Sequence, residues 1–234
     1  MSKLPVKAVI FDLWGTLIYN EPRTTNFHEL IEMVGVPPEI LWNSWRSYTD
    51  AALRGQIRSG LERAQLTLKE LALPAEKIEQ IAPVLAKFEQ QSRASQVHFY
   101  PGVEQMLDDL KNTGYIIGLI SNCSYLTPSI VNEMGIRKKT DLTILSCEVG
   151  LVKPEVEIYL QAATRLKVNA SECLFVGDGG DNEMIGAKLA GFITALVEQE
   201  RGHAYRYPEK DYVVDYRLPT ITAVLDYLKF ASFD

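Results

Sequence analysis

The sequence predicts an α/β fold built on a parallel sheet, with a helical segment inserted after the first strand. Short apolar runs alternate with helical patterns beyond residue 100, which is the arrangement of βαβ crossovers. Three apolar runs, 8–11, 116–120 and 173–177, stop directly at polar residues. Ligands of open α/β sheets bind beyond the carboxyl ends of the strands, so these polar ends define one candidate site.

The first strand, 8–11, is followed by a segment of different character. Residues 18–98 contain no strand-like run, and their amphipathic stretches predict a bundle of about four helices at 26–34, 38–53, 61–71 and 75–88. We therefore predict an α/β core formed by residues 1–17 and 99–234, with residues 18–98 as a helical insertion over the strand ends.

The remaining elements alternate along the rest of the chain. Helices are expected at 103–111, 126–134, 155–167, 184–189 and 218–230. Strands are expected at 116–120, 142–145, 173–177 and 193–197, with a short one at 212–214. The central runs are apolar throughout, as strands covered on both faces are.

Composition restricts the class of ligand. The chain has 234 residues and a formal net charge of −6, so it presents no basic face for nucleic acid or for an anionic membrane. No apolar stretch has the length of a membrane span, and the first strand begins too early for a signal peptide. The three cysteines lack metal spacing and suggest reduced thiols in a cytoplasmic protein. We expect a monomer or homodimer with a small anionic substrate.

Asp12 is the candidate nucleophile. A carboxylate at a strand end can attack phosphorus or carbon and form a covalent aspartyl intermediate. Gly15 suits a tight turn, and the hydroxyl of Thr16 can donate to a bound oxyanion. The alternative is that Asp12 only caps a helix or turn.

A second acidic segment, 177–183, predicts a cation site. Asp178 follows a buried strand and two glycines follow it, and Mg²⁺ prefers one or two carboxylates together with water. Glu183 is the expected second acid, acting directly or through water. The alternative is a solvated acidic helix N-terminus.

Two further segments supply groups that can bind an anion. Lys153 precedes Pro154 at an expected helix start, where its ammonium can neutralise both a nucleophile and an incoming anion. Ser121 and Asn122 end a strand and can offer a hydroxyl and amides. Ordinary solvated polarity is the alternative for all three.

These four segments, in this order, resemble the motifs of the haloacid dehalogenase-like hydrolase superfamily. The match runs from the Asp12 segment through Ser121-Asn122 and Lys153-Pro154 to Gly177-Asp178 with Glu183. The resemblance implies a Rossmann-like core, and it implies that the helical insertion is a cap of type C1.

The resemblance also implies roles for individual residues. It implies that Asp12 is the nucleophile and that the transferred group is bound by Thr16, Ser121 and Lys153. It implies a magnesium ion held by Asp12, Asp178 and the backbone carbonyl of Trp14, to which we add Glu183.

Trp14 departs from the phosphatase pattern. Phosphatases of the superfamily carry an Asp at this position as general acid and base, which is typically worth ~10²–10⁴ in rate, and indole cannot shuttle protons. The 2-haloacid dehalogenase branch carries an aromatic residue there, because a halide leaves without protonation. Tyr159, six residues after Lys153, and Arg46 in the insertion are also similar to that branch.

The fourth motif favours the phosphatases. Dehalogenases need no metal and replace the first acid of that motif, whereas this chain keeps Asp178. We therefore expect a magnesium-dependent phosphatase that acts on a small phosphorylated metabolite through an aspartyl phosphate. Arg46, Arg54, Arg58 and Tyr159 are the candidate substrate contacts, with solvated helix charge as the alternative for the arginines.

Two alternatives stay open. One is a 2-haloacid dehalogenase-like hydrolase that forms an aspartyl ester. The other is a protein that binds a phosphorylated ligand with little turnover, which retention of the anion site without the general acid would produce.

Overall fold

The structure is a computed structural model that describes residues 6–21, 27–93, 96–199 and 214–230. Its strands, in chain order, are β1 (Ala8–Phe11), β2 (Ile18–Asn20), β3 (Val97–Phe99), β4 (Ile116–Ser121), β5 (Leu142–Leu145), β6 (Cys173–Gly177), β7 (Ile193–Val197) and β8 (Tyr216–Leu218). Its helices are α1 (Phe27–Val34), α2 (Pro38–Ser47), α3 (Thr49–Leu53), α4 (Gly60–Glu70), α5 (Ala75–Arg93), α6 (Val103–Asn112), α7 (Thr127–Glu133), α8 (Ile136–Lys139), α9 (Ser146–Val149), α10 (Val156–Leu166), α11 (Glu183–Leu189) and α12 (Val224–Phe230).

Six strands form one parallel sheet in the order β5-β4-β1-β6-β7-β8. Strand β1 is central and pairs with β4 on one side and β6 on the other. Because all three strands run the same way, the residues that follow their carboxyl ends meet at one edge of the sheet. The predicted α/β class with a parallel sheet is confirmed.

Side chains of the sheet alternate between two apolar layers. On β1, Val9 and Phe11 face one layer while Ala8 and Ile10 face the other, and all four are fully buried. The first layer is covered by α6, α7 and α12 and the second by α10 and α11. Full burial of one such aliphatic or aromatic side chain contributes about 1.5–3 kcal/mol, so β1 is firmly held between the layers.

The segment between β2 and β3 contains α1 to α5 and has a core of its own. Helices α4 and α5 pack against each other, and α2 packs on α4. The predicted helix over 38–53 is interrupted at Tyr48, whose ψ of 6° lies outside the helical region, so the structure has α2 and α3 in its place. Side chains that fill this core include those of Leu30, Leu41, Trp45, Leu68 and Leu85.

The expectation that 18–98 contains no strand was wrong. Ile18–Asn20 and Val97–Phe99 pair as an antiparallel ribbon, β2 with β3, at the two ends of the helical segment. Each strand has three residues, too few to show an alternating pattern in the sequence. The predicted boundaries at 17/18 and 98/99 lie beside each other in this ribbon, and the division into two domains stays a prediction.

The last strand of the sheet also differs from its predicted position. Strand β8 is formed by Tyr216–Leu218 and pairs with β7. Of the predicted strand at 212–214, residues 212 and 213 lie outside the described residues, and Val214 is not in a strand. Within the described part of the chain, no helix combines the length and the apolar character needed to cross a membrane.

Candidate active site

Asp12 lies at the carboxyl end of β1. Its backbone N–H continues the sheet ladder by donating to the carbonyl of Val176 at 2.9 Å, and its side chain is nearly buried. The hydroxyl of Thr16, which is fully buried, donates to Asp12 Oδ2 at 3.1 Å. The carboxylate is therefore fixed by the turn that follows its own strand.

That turn depends on Gly15, whose φ is +79°. L-residues with side chains adopt this left-handed region at a steric cost, and glycine does not. A Cβ atom at Gly15 would also overlap Oδ2 of Asp178. The missing side chain is what lets the turn after β1 approach the carboxylate at the end of β6.

Lys153 joins two carboxylates at the centre of the crevice. Its Nζ lies 2.5 Å from Asp12 Oδ1 and 2.5 Å from Glu183 Oε2, and its side chain is 3% exposed. The sequence predicted that Lys153 neutralises the nucleophile, and the geometry is that of such a contact. Its ion pair with Glu183 was not predicted.

The site carries more negative than positive charge. Burial alone lowers the pKa of Lys153, but the carboxylates of Asp12 and Glu183 outweigh burial and raise that pKa well above its usual range. Burial raises the pKa of Glu183; Lys153 opposes this shift, while Asp12 and Asp178 add to it. Three carboxylates thus share one ammonium in a buried site, an arrangement that favours any additional positive charge.

The three carboxylates form a cluster whose donor set fits a hard cation. One oxygen from each of Asp12, Asp178 and Glu183 lies within 4.8 Å of the others. Asp178 is oriented by the N–H of Gly180, which donates to its Oδ1 at 2.9 Å. An all-oxygen, carboxylate-rich set is what Mg²⁺ prefers, so the residues fit the expected ion. Trp14, expected to add its carbonyl, follows Asp12 by two residues, is half-buried and packs against the core.

Glu183 is fully buried and both of its carboxylate oxygens are engaged. Oε2 is paired with Lys153, and Oε1 accepts the N–H of Gly179 at 2.9 Å. A Cβ at Gly177 would overlap Glu183 Oε1, so this glycine makes room for the longer acid. These contacts give Glu183 a role in holding Lys153 in addition to its expected place at the cation.

Ser121 presents a hydroxyl without a partner. It is 1% exposed at the end of β4, and within the described residues its Oγ makes no hydrogen bond. A buried hydroxyl left unpaired is costly, and native structures usually satisfy it. A ligand oxygen at this position would satisfy it, which is consistent with the anion contact expected for Ser121.

Asn122 has a different position from the one expected for an anion contact. Its Nδ2 donates to the carbonyl of Lys153 and to Asp181 Oδ2, each at 2.9 Å, and its Oδ1 accepts the N–H of Lys153 at 2.7 Å. The side-chain amide is thus used to fix the loop that carries Lys153. Asn122 positions another residue of the site, and it does so through the backbone.

Tyr159 was expected among the substrate contacts, and the structure contradicts this. Its side chain is fully buried in α10, and its hydroxyl donates to the backbone carbonyl of Glu183 at 2.8 Å. Its ring packs edge-on against Phe175 and Phe192. Tyr159 therefore supports the start of α11 from inside the core, and its hydroxyl is already used by the Glu183 carbonyl.

The three arginines of the insertion have separate surroundings. Arg46 is exposed and donates to Asn43 at 3.1 Å, and Arg58 is exposed just before α4. Arg54 contacts the core: it donates to Glu155 Oε1 at 2.6 Å and to the carbonyl of Gly150 at 3.2 Å. For Arg54 the structure thus shows an ion pair between the insertion and the core in place of the expected substrate contact.

One residue that sequence reasoning missed anchors the turn after Asp12. Gln199 Nε2 donates to the carbonyls of Thr16 at 3.0 Å and Gly15 at 3.3 Å, and its Oε1 accepts the N–H of Ile221. The available signal was its place two residues beyond the end of β7, close to the position directly after a strand that singled out Asp12 and Asp178.

The chain belongs to the haloacid dehalogenase-like hydrolase family, whose sequence model matches residues 6–191. This agrees with the order of the four motif segments and with the parallel sheet that brings them together. The protein is therefore a hydrolase of this family.

Curated relatives of the chain are named as phosphatases. The phosphoglycolate phosphatase of Xanthomonas campestris pv. campestris is 29% identical over 187 residues, which is 79% of this chain and 80% of that protein. The glyceraldehyde 3-phosphate phosphatase of Methanopyrus kandleri is 24% identical over 235 residues, covering 98% of this chain and 100% of that protein.

Solved structures of both branches share the fold. A 2-haloacid dehalogenase from Pseudomonas syringae pv. Tomato superposes with a TM-score of 0.68 at 21% identity, covering 96% of this chain and 99% of that one. A HAD phosphatase from Thermococcus onnurineus superposes with a TM-score of 0.64 at 22% identity, covering 95% and 98%. At these identities the likeness concerns the fold alone.

Proposed function

We propose that the protein is a metal-dependent phosphatase that hydrolyses a small phosphate monoester through an aspartyl-phosphate intermediate. The observation that carries the proposal is the juxtaposition of Asp12, Asp178 and Glu183 within 4.8 Å. Close carboxylates repel one another unless a cation or protons intervene, and Lys153 supplies only one positive charge. The phosphatase names of the curated relatives support the same class of substrate.

The residues of the crevice divide the chemistry among them. Asp12 attacks phosphorus in line, the bond from phosphorus to the leaving oxygen breaks, and solvent protonates that oxygen. Water then attacks phosphorus, which releases inorganic phosphate and restores the Asp12 carboxylate. The ammonium of Lys153 and the hydroxyls of Thr16 and Ser121 are the groups that bind the phosphoryl oxygens.

Asp12 and Asp178, with the expected carbonyl of Trp14, are the residues that would hold Mg²⁺, and Glu183 lies beside them. When bound, the ion supplies positive charge to the phosphoryl oxygens. The ammonium of Lys153 also neutralises the phosphoryl oxygens. Its ion pair with Glu183 holds this ammonium against Asp12.

Trp14 favours a second candidate, a 2-haloacid dehalogenase. An indole at the position two residues after the nucleophile provides no proton for an alkoxide leaving group, whereas a halide needs none. In that reaction Asp12 displaces the halide from carbon, and water hydrolyses the resulting aspartyl ester. The retained Asp178 is what makes us prefer the phosphatase.

One screen separates the candidates. Hydrolysis of p-nitrophenyl phosphate, small phosphate monoesters and acyl phosphates is measured alongside chloride release from 2-chloropropionate, each with Mg²⁺ and with EDTA. We expect hydrolysis that requires Mg²⁺, with a burst of p-nitrophenol before the steady state, because the aspartyl phosphate turns over slowly without a general base. Asp12→Asn should abolish it, and Asp178→Asn should raise the Mg²⁺ concentration needed by at least tenfold.

Two results would overturn the proposal. Chloride release that is unaffected by EDTA, without phosphatase activity, would assign the dehalogenase reaction. Binding of phosphate monoesters without turnover of any substrate would assign a ligand-binding protein.

A further inference from the structure

Two of the three cysteines are in contact beside the candidate active site. Cys123 follows β4 and Cys147 lies in α9, and their Sγ atoms are 3.8 Å apart although 24 positions separate them in the chain. We propose that Cys123 and Cys147 form a redox-active dithiol, which a peroxide oxidises to a disulfide and thiols reduce again.

The backbones on both sides of this pair are already held together. The N–H of Cys123 donates to Ser146 Oγ at 2.9 Å, and that hydroxyl lies 3.2 Å from the Cys123 carbonyl, to which it donates. Ser146 is fully buried and immediately precedes Cys147. Since a disulfide has an S–S distance of about 2.05 Å, its formation needs the sulfurs to approach by roughly 1.8 Å without separating these segments.

The two thiols differ in the way that a peroxide-reactive pair requires. Cys147 is partly exposed, and the hydrogen bond with Cys123 lowers the pKa of its thiol. Cys123 is buried, and the same hydrogen bond together with burial raises the pKa of its thiol. Because the thiolate is the nucleophile, Cys147 is the residue that reacts first and Cys123 is the one that resolves.

The reaction balances with hydrogen peroxide as the oxidant. The Cys147 thiolate attacks one peroxide oxygen, the O–O bond breaks, and a sulfenic acid and hydroxide are formed, the latter becoming water on protonation. The Cys123 sulfur then attacks the Cys147 sulfur, the S–O bond breaks, and a second water leaves. Two electrons pass from the two sulfurs to the peroxide, and a dithiol reverses the change.

The disulfide would alter the candidate active site through Asn122. Asn122 adjoins Cys123 and makes two hydrogen bonds to the backbone of Lys153. Pulling Cys123 toward α9 shifts the residue that fixes Lys153, and misplacement by about 1 Å can cost on the order of 100-fold in rate. This consequence rests on the proposed phosphatase function, whereas the disulfide itself does not.

Peptide mapping tests the disulfide directly. Because trypsin does not cleave between Lys153 and Pro154, the cysteines fall in three peptides, 112–137, 140–165 and 168–188. The native protein is treated with hydrogen peroxide, alkylated with iodoacetamide, digested and analysed by mass spectrometry. We expect 112–137 joined to 140–165, with 168–188 alkylated only after unfolding, since Cys173 is buried and its pKa is raised to about 12.

Variants and a reductant complete the experiment. Cys147→Ser and Cys123→Ser should each abolish the joined peptide, whereas Cys173→Ala should leave it unchanged. With p-nitrophenyl phosphate as substrate, oxidation should lower the rate at least tenfold and dithiothreitol should restore it, with neither effect in Cys147→Ser.

The outcomes separate the two proposals. Recovery of 112–137 and 140–165 as separate peptides, whether alkylated or with Cys147 overoxidised to sulfinic acid, overturns the dithiol. A joined peptide in a protein without phosphatase activity upholds the dithiol and rejects the function. A joined peptide with an unchanged rate of phosphate ester hydrolysis upholds the dithiol and rejects only its proposed effect on Lys153.

Discussion

Asn122 holds both backbone hydrogen-bonding groups of Lys153. Its Nδ2 donates to the Lys153 carbonyl at 2.9 Å, and its Oδ1 accepts the Lys153 N–H at 2.7 Å. The Lys153 ammonium in turn lies 2.5 Å from Asp12. The residue that follows β4 thus sets the position of the Lys153 ammonium, which contacts Asp12 at the end of β1.

Replacing Asn122 should impair turnover more than substrate binding. In Asn122→Ala the Lys153 peptide loses two hydrogen bonds, and we expect kcat to fall by roughly 10–100-fold with a smaller change in KM. Asn122→Asp keeps the acceptor and loses the donor, so its kcat should be intermediate. Asn132→Ala, at an exposed position on α7, is the control. A wild-type kcat in Asn122→Ala would exclude the positioning role.

The close contact between the turn after β1 and Asp178 can be tested by comparing an alanine at Gly15 with an alanine at Gly35. Gly15 and Gly35 have φ values of +79° and +76°, so an Ala at either position carries a similar backbone strain, about 1–2 kcal/mol. Only at Gly15 would the new Cβ overlap Asp178, since nothing lies within 4 Å of a Cβ at Gly35. We expect both variants to melt at lower temperature.

The two glycine variants should differ in activity and in metal response. Gly15→Ala should lose at least ~100-fold in kcat and require more Mg²⁺, because it displaces the carboxylate expected to hold the ion. Gly35→Ala should keep its activity below its melting temperature. Equal activities in the two variants would mean that the contact with Asp178 has no part in catalysis.

The sequence was informative where burial and strand direction decide the arrangement. Apolar runs located β1, β4 and β6, and parallel pairing then required Asp12 and Asp178 to share one edge. Tyr159 shows the limit of this reasoning. Its spacing from Lys153 is visible in the sequence, but which face α10 turns toward the sheet is decided by packing against Phe175 and Phe192.

Contacts between distant polar residues that do not both follow strand ends or motif segments could not be predicted from the sequence. Arg54 and Glu155 are separated by 101 positions, and no local pattern indicates that they pair. Glu183 was predicted from its place in an acidic segment, yet its ion pair with Lys153 depends on where the Lys153 loop crosses the sheet edge. Such pairings follow from the complete fold.

Trp14 is the residue whose replacement best distinguishes the candidate reactions. If the protein is a phosphatase that lacks its general acid, Trp14→Asp should raise kcat toward phosphate monoesters, up to the ~10²–10⁴ that a positioned acid supplies. Trp14→Asn is the control: Asn is similar in size to Asp but cannot transfer a proton, so this variant reports the effect of the altered packing alone. The gain should be largest for alkyl phosphates, whose leaving groups most need protonation. Equal rates in the two variants would favour the dehalogenase or the binding protein.

Arg54 should control the contact between the helical insertion and the Lys153 loop. It pairs with Glu155, whose Oε2 also accepts the N–H of Val152 at 3.1 Å, and it donates to the carbonyl of Gly150. These side chains are about a third exposed or less, so solvent screens the pair and the melting temperature should change little in Arg54→Ala.

The effect of Arg54→Ala should instead be local. We expect faster hydrogen exchange at residues 150–155 and a several-fold lower kcat/KM, because the loop that positions Lys153 loses its tie to α3. Asp50→Asn is the matched control, since it removes the partner of Arg54 within the insertion and leaves Glu155 in place. Unchanged exchange at 150–155 in Arg54→Ala would contradict this account.

Glu89 should be the most costly charged residue of the insertion to remove. It is 4% exposed, its Oε1 lies 3.3 Å from Arg63 Nη1, and its Oε2 accepts the Tyr125 hydroxyl at 2.5 Å from the core. Burial and the neighbouring carboxylate raise the pKa of Tyr125, which therefore stays a hydrogen-bond donor. Breaking a buried ion pair from one side costs about 3–5 kcal/mol, so Glu89→Ala should lower the melting temperature by roughly 6–20 °C. Glu79→Ala, at an exposed position of the same helix, should change the stability by no more than about 0.5 kcal/mol.

Adding Arg63→Met to Glu89→Ala should restore part of the lost stability, because the uncompensated buried cation is then gone. A double variant that is less stable than Glu89→Ala would show that Arg63 stabilises the insertion through Trp45 and Thr49 more than through Glu89.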